Sequence, residues 1–155
     1  PEDKACHAWN NKKTARTRPM FEAGGIAYVY LCYGIHHLFN VVTGPEDSPH
    51  AVLIRAIQPT ENTEIMMRRR KLNRMSAKVG AGPGILSQAL GITTDLSGQS
   101  LLDSDSPIWI EDRGIHPEER FLSETPRIGV DYAGEWAQKK WRFCIKNNPW
   151  ISKPG

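Results

Sequence analysis

A chain of 155 residues with 20 Lys/Arg, 17 Asp/Glu and a net charge of +3 can build one real hydrophobic core but not two sizeable ones. Its longest unbroken apolar run, residues 26–33, is far below the ~20 residues that span a bilayer, and nothing resembles a signal peptide, so no membrane partner is expected. Cys6, Cys32 and Cys144 are odd in number, widely spaced and without a Cys-x-x-Cys pair, which argues against a disulfide framework and a zinc site and fits a reducing, intracellular setting.

The distribution of charge says more than its sum. Residues 1–90 carry 12 Lys/Arg against 7 Asp/Glu, residues 91–126 carry 2 against 8, and residues 127–155 carry 6 against 2. A basic body with one acidic segment is compatible with a polyanion on one face, because phosphate contacts come from clustered Lys and Arg. A solvated mixed surface would read the same way.

In chain order, the sequence opens without a methionine, as a fragment would. Residues 12–18 hold Lys12, Lys13, Arg16 and Arg18 without apolar periodicity, which predicts a loop able to follow a phosphate backbone. Two runs of aromatic, aliphatic and β-branched residues then flank Tyr33-Gly34-Ile35-His36. They read as antiparallel strands joined by a tight turn in which Gly34 takes positive φ. The period of two sends Tyr28, Tyr30 and Cys32 to one face and Val29, Leu31 and Tyr33 to the other, so Tyr33 leaves the sheet at the hairpin tip. Tyr28 reads as scaffold.

Residues 43–49 form a turn-rich loop, and residues 50–57 a third strand closed by Pro59. Arg55 lies inside that apolar strand and needs an anionic or carbonyl partner. Over residues 61–78, Ile65, Leu72, Met75 and Val79 recur at helical spacing beside Arg68, Arg69, Arg70, Lys71 and Arg74, which predicts an amphipathic helix whose basic face is solvated. The glycine-rich turn 80–84 feeds a short helix over 85–91, offering backbone N–H groups and a helix dipole to an anion. No Gly-Lys-Ser/Thr follows, so a polymer phosphate fits better than a bound nucleotide. The acidic segment 95–124 reads as surface apart from a strand at 107–110, and a last strand covers 141–145. Four of the five tryptophans fall after residue 100, and the C-terminal end is expected to supply much of the core.

With these pieces in order, the chain resembles the alkyladenine (methylpurine, 3-methyladenine) DNA glycosylases, in a bacterial-type spelling. The matching stretches are Pro1-Glu2-Asp3 through His7, Arg16-x-Arg18-Pro19-Met20-Phe21, Tyr28-Val29-Tyr30 through Tyr33-Gly34 and Asn40, Leu53-Ile54-Arg55-Ala56, Gly82-Pro83 through Gln88-Ala89-Leu90, Arg127-Ile128-Gly129-Val130, Ala133-Gly134-Glu135-Trp136-Ala137, and Pro149-Trp150. Each is weak alone; their shared order is specific. The resemblance implies an α+β fold. It would be a single compact domain over 1–155 on a curved, mainly antiparallel sheet with a protruding hairpin, lacking its N-terminal part.

It also implies a monomeric base-excision repair enzyme, acting without metal or other cofactor on double-stranded DNA that contains damaged purines. The setting would be cytoplasmic and nucleoid-associated in a bacterium, or nuclear in a eukaryote. Such enzymes flip the damaged base out and hydrolyse its N-glycosidic bond with an activated water. By resemblance Tyr33 is the intercalating wedge, and His7 and Tyr30 wall the base pocket. Asn40 lies at the pocket floor and helps exclude guanine, and Arg16, Arg18, Gly82 and Gly84 contact the DNA backbone. Arg55 and the Ile128 carbonyl would support the reacting centre. The family's general-base glutamate belongs to a Glu-x-Tyr-x-x-Pro-Glu-Asp pattern of which this sequence begins at Pro-Glu-Asp, so it is expected upstream of Pro1 and absent here. Glu2 and Asp3 do not inherit its role, and the chain as given is expected to bind far better than it cleaves.

Two alternatives have different chemistry. A non-catalytic tRNA-binding module resembling the C-terminal domain of methionyl-tRNA formyltransferases would explain basic patches without a catalytic acid. A metal hydrolase would use His7, His36, His37 and His50, although adjacent histidines in a strand point to opposite faces and chelate poorly.

Overall fold

The structure, a computed structural model, describes residues 2–152; Pro1, the first residue of the matching stretches, lies outside them. A three-stranded antiparallel sheet holds β1 (Ala27–Cys32), β2 (His36–Val42) and β3 (Ala51–Leu53) in the order β1-β2-β3. The register pairs Tyr28 with Asn40, Tyr30 with Leu38 and Cys32 with His36. The outer edge of β1 is closed by residues 97–100: Gly98 N–H donates to the Ala27 carbonyl, Ala27 N–H to the Gln99 carbonyl, and Val29 N–H to Ser97 Oγ. Covering the edge in this way leaves fewer backbone groups free to pair with another chain.

Each sheet face builds its own core. Ala27, Val29 and Phe39 pack with Leu86, Ile92 and Leu101 on one side. Tyr28 and Val42 pack with Ala8, Met20 and Phe21 on the other, so the N-terminal segment is a layer of the fold. The predicted alternation along β1 is what separates the two cores.

Helix α1 (Thr63–Arg69) has seven residues, shorter than the predicted 61–78. It stops where Arg70 caps the last turn and Lys71 takes φ +53°, because Arg69 and Arg70 are recruited elsewhere. Arg69 Nη1 donates to the Ala89 carbonyl at 3.1 Å, and Arg70 donates to the Lys78 carbonyl and the Gln88 carboxamide oxygen. Two cations assigned to solvent thus clamp the C-terminal end of helix α2 (Pro83–Leu90), where carbonyls lack helical partners and the dipole favours positive charge. Gly91 ends α2 at φ +75°, and a Cβ there would lie 2.8 Å from the Arg69 guanidinium carbon.

Three more expectations need correction. The third strand covers Ala51–Leu53 only; Ile54 still donates to Phe39, and Ala56 forms a lone bridge with Ala81. Residues 107–110 form no strand: Ile110 N–H reaches the Leu101 carbonyl, but no neighbouring strand pairs with the segment. Trp9, Trp109 and Trp141 are about half exposed, and the C-terminal end buries Ala133, Ala137 and Arg142 rather than indole rings. The predicted last strand is present as β5 (Arg142–Ile145), paired with β4 (Leu122–Thr125). No helix among the described residues is long and apolar enough to cross a membrane.

Candidate nucleic-acid interface

The site begins at the hairpin turn. Tyr33 and Gly34 both take positive φ, +50° and +71°, and Ile35 N–H closes the turn on the Cys32 carbonyl at 3.1 Å. Gly34 meets this geometry without strain, whereas a side chain in the left-handed region costs roughly 1–2 kcal/mol. Tyr33 recovers nothing by burial, since it is 92 % exposed. Tyr28, five residues earlier, is only 2 % exposed.

The first turn of α2 lies against the start of β2, beside the turn. A Cβ at Gly84 would stand 3.1 Å from the His36 side chain, and Gly82, at φ +136°, is itself buried. Gly84 therefore lets a helix start approach a strand closely, a packing role that accompanies any role toward phosphate. His36 is exposed, while His37 Nδ1 is buried with no hydrogen-bond partner among the described residues.

On the sheet face that carries Tyr28, turns at Asp3–Cys6 and Cys6–Trp9 bring His7 over β1. His7 Nδ1 lies 2.8 Å from the Tyr28 hydroxyl, and its ring meets Tyr30 edge-on with centroids 4.4 Å apart. Arg16 Nη2 reaches His7 Nε2 at 3.4 Å, and its guanidinium lies over Tyr30 at 5.0 Å from the ring centroid. Arginine only donates, so Nε2 accepts and Nδ1–H faces Tyr28. Burial, reinforced by Arg16, lowers the His7 pKa and keeps the imidazole neutral. Burial raises the Tyr30 phenol to about 12. Asn40, 7 % exposed, donates its carboxamide N–H groups to the Tyr28 and Leu38 carbonyls at 3.0 and 3.2 Å. Its orientation is thereby fixed, with the carboxamide oxygen left as acceptor.

The basic loop is organised by buried Thr17, whose Oγ1 takes the Thr14 N–H at 2.9 Å and donates to the Lys12 carbonyl at 2.9 Å. Its cations divide. Lys13 pairs with Asp47 at 3.1 Å, Arg16 turns inward onto Tyr30, and Lys12 and Arg18 stay exposed with no ion pair among the described residues. A cleft of about 450 Å³ runs past Arg16, Pro19, Tyr30 and Leu31. A second groove, about 400 Å³, lies on the opposite face among Phe39, Ile54, Leu90 and Trp109, and every residue lining it is apolar.

Arg55 is half-buried just beyond β3 and makes no hydrogen bond or ion pair among the described residues. Burial, then repulsion by Arg142 and Arg127, lowers its pKa, and Tyr30 lies in the same neighbourhood. The sequence argument that Arg55 needs a partner therefore leaves a cation unsatisfied beside the aromatic cluster. Arg142 was missed, although a cation in the apolar run Trp141-Arg142-Phe143-Cys144-Ile145 invited the same argument. It is 6 % exposed and donates to Thr125 Oγ1 at 3.0 Å. Ile128 is exposed and next to Arg127, whose guanidinium binds both Asp3 oxygens, Nη1 to Oδ2 at 2.6 Å and Nη2 to Oδ1 at 2.9 Å.

The fold thus offers a neutral histidine against tyrosine rings beside a fixed carboxamide, an exposed tyrosine at the tip of the same hairpin, and cations without ion pairs among the described residues. The sequence profile of the methylpurine-DNA glycosylases matches residues 1–149. Three curated relatives carry the name "Putative 3-methyladenine DNA glycosylase". The Chlamydia felis protein is 48 % identical over 146 residues, 94 % of this chain and 73 % of the relative. The Natranaerobius thermophilus protein is 41 % identical over 153 residues, 98 % and 76 % of the two chains. The Bacillus cytotoxicus protein is 43 % identical over 164 aligned residues, 99 % and 78 %. A match of this extent, in a chain whose matching motifs keep their order from end to end, is decisive: the chain belongs to the methylpurine-DNA glycosylase family.

Proposed function

We propose that the chain is the base-recognising body of a monofunctional glycosylase that flips an alkylated or deaminated purine of the 3-methyladenine type out of duplex DNA. The observation that carries this reading is Tyr33, a large ring held at φ +50° with 92 % of its surface in solvent. The positive φ serves the turn, which glycine or asparagine would serve at lower cost, so a large exposed ring in that place points to a use outside folding. Inserted into the stack, the ring replaces part of what a flipped base loses.

The flipped purine would stack on Tyr30 and His7. An electron-poor or cationic ring is attracted to electron-rich faces, and a neutral His7 adds no repulsion. Asn40, with its N–H groups fixed on backbone carbonyls, presents an oxygen and no spare room, which disfavours a guanine amine approaching from the wrong side. Arg18, with the Gly82 and Gly84 turn, would follow the phosphate backbone, and the unsatisfied Arg55 would take an anionic group next to the reacting sugar. The Ile128 carbonyl would help hold the attacking water.

Asp3 is a poor candidate for the water-activating base. Burial opposes its ionisation, but the Arg127 hydrogen bonds outweigh this and lower its pKa, and both oxygens are engaged. That role falls, by the family pattern, to a glutamate ahead of Pro1. Binding to hypoxanthine-containing, undamaged and tRNA probes tests the recognition: a clear preference for the damaged duplex supports it, and a preference for tRNA sinks it. Base release from labelled hypoxanthine duplex, by this chain with and without the preceding family segment, tests the division of labour.

A further inference from the structure

Arg16 occupies the face on which the flipped base is to stack. Its guanidinium, planar and cationic, sits over Tyr30 at 5.0 Å and touches His7 Nε2 at 3.4 Å. Neutral partners hold it, His7, Tyr30 and the Tyr28 hydroxyl: the side chain is exposed and forms no ion pair among the described residues. A cation–π contact at an exposed site is weak, whereas a guanidinium–phosphate contact is charge-assisted and bidentate. The same loop carries Lys12 and Arg18, which stay outward, so a phosphate strand drawn to them would pass Arg16. A second position for Arg16 thus lies close to the first.

We propose, resting on the base-pocket reading above, that Arg16 is a specificity-determining residue that makes the pocket read a base only when it is attached to DNA. In the free protein the guanidinium stands in for the base on Tyr30. Duplex DNA supplies the phosphate that draws it away and opens the ring. A free purine, including the released product, brings no phosphate and must displace Arg16 unaided. The pocket is thereby screened against free bases and refilled after the product leaves.

The test compares two probes, free hypoxanthine and a duplex containing hypoxanthine, by calorimetry on wild type, R16A, R16Q, R18A and Y30L. Arg16 is exposed, so its variants are expected to fold, and matching melting temperatures verify this. Removing the plug should tighten free hypoxanthine binding about fivefold, the size of a lost surface cation–π contact, while weakening duplex binding. R18A should weaken the duplex alone. A residue that contacts only phosphate would leave free-base affinity unchanged in R16A and R16Q, and that result overturns the proposal if Y30L still loses free-base binding. If Y30L leaves free-base affinity unchanged as well, the base pocket itself is misassigned and both readings fall.

Discussion

Asp3 and Arg127, 124 residues apart, meet in a bidentate ion pair that is less than a fifth exposed on either side. Arg127 also donates to the Trp136 carbonyl at 3.1 Å and lies over the Trp141 ring at 5.2 Å. One guanidinium thus ties the segment that carries His7 to the C-terminal segment that carries Ile128. Removing either partner leaves the other charge partly buried and unpaired, at a cost of about 3 kcal/mol. Asp3→Asn and Arg127→Met are therefore expected to lower the melting temperature by several degrees and to weaken lesion binding indirectly, through His7.

The same pair sets an acid limit. The Asp3 pKa is lowered in the folded protein from its ordinary value of 3.8, so the unfolded chain binds the proton first. The stabilisation is fully present above about pH 4 and is lost as pH falls through the folded pKa. Thermal melts from pH 7 to pH 2.5 should show a constant gap between wild type and Asp3→Asn that closes only in acid. A gap that closes near neutrality would assign the stabilisation to another group.

His7 shifts with the same sign for the opposite reason, since folding favours its neutral form. Burial and Arg16 lower its pKa below 6.5, so folding disfavours the imidazolium. Stability should fall as pH drops below about 6.5 and level off below the folded pKa. His7→Phe, which cannot charge, should flatten that part of the melting profile. An unchanged slope in the variant would trace it to another histidine.

The sequence made some of this legible and some not. The hairpin could be read because strict alternation and Gly34 act over a few residues, and the buried Tyr28 and exposed Tyr33 follow from it directly. Strand β4, Leu-Ser-Glu-Thr, was missed because its propensity is ordinary and only its pairing with β5 makes it a strand. Residues 107–110 have the opposite history: they have strand composition but no strand to pair with. The long helix was overread because periodicity cannot tell that Arg69 will bond the Ala89 carbonyl and Arg70 the Lys78 carbonyl and the Gln88 side chain. Long-range pairs such as Asp3–Arg127, and the inward turn of Arg16, leave no local mark at all.

Phosphate contact has its own signature. Each neutralised phosphate releases condensed counterion, so log affinity for duplex DNA should fall linearly with log salt, by roughly 0.9 per contact. Arg18→Ala should reduce that slope by about one and weaken damaged and undamaged duplexes alike. Titrations at several salt concentrations measure both. A flat salt response would remove the DNA backbone from the interface.

The wedge admits the sharpest test, because here stability and function should move in opposite directions. Tyr33 is strained and makes almost no use of its surface, so Tyr33→Ala should leave the melting temperature nearly unchanged. Tyr33→Asn should raise it slightly, since Asn tolerates the left-handed region that Tyr33 occupies at φ +50°. Tyr28 is 2 % exposed, and Tyr28→Ala should cost about 3 kcal/mol or more through the cavity it leaves. In binding the order reverses. Unstacking a base costs a few kcal/mol, and without the inserted ring the open duplex loses its replacement stack. Both Tyr33 variants should therefore lose affinity for a duplex carrying an abasic analogue by at least tenfold, while affinity for undamaged duplex changes little. Should Tyr33→Ala melt as early as Tyr28→Ala and bind the abasic duplex normally, the hairpin is scaffold and the tyrosine at its tip is not the wedge.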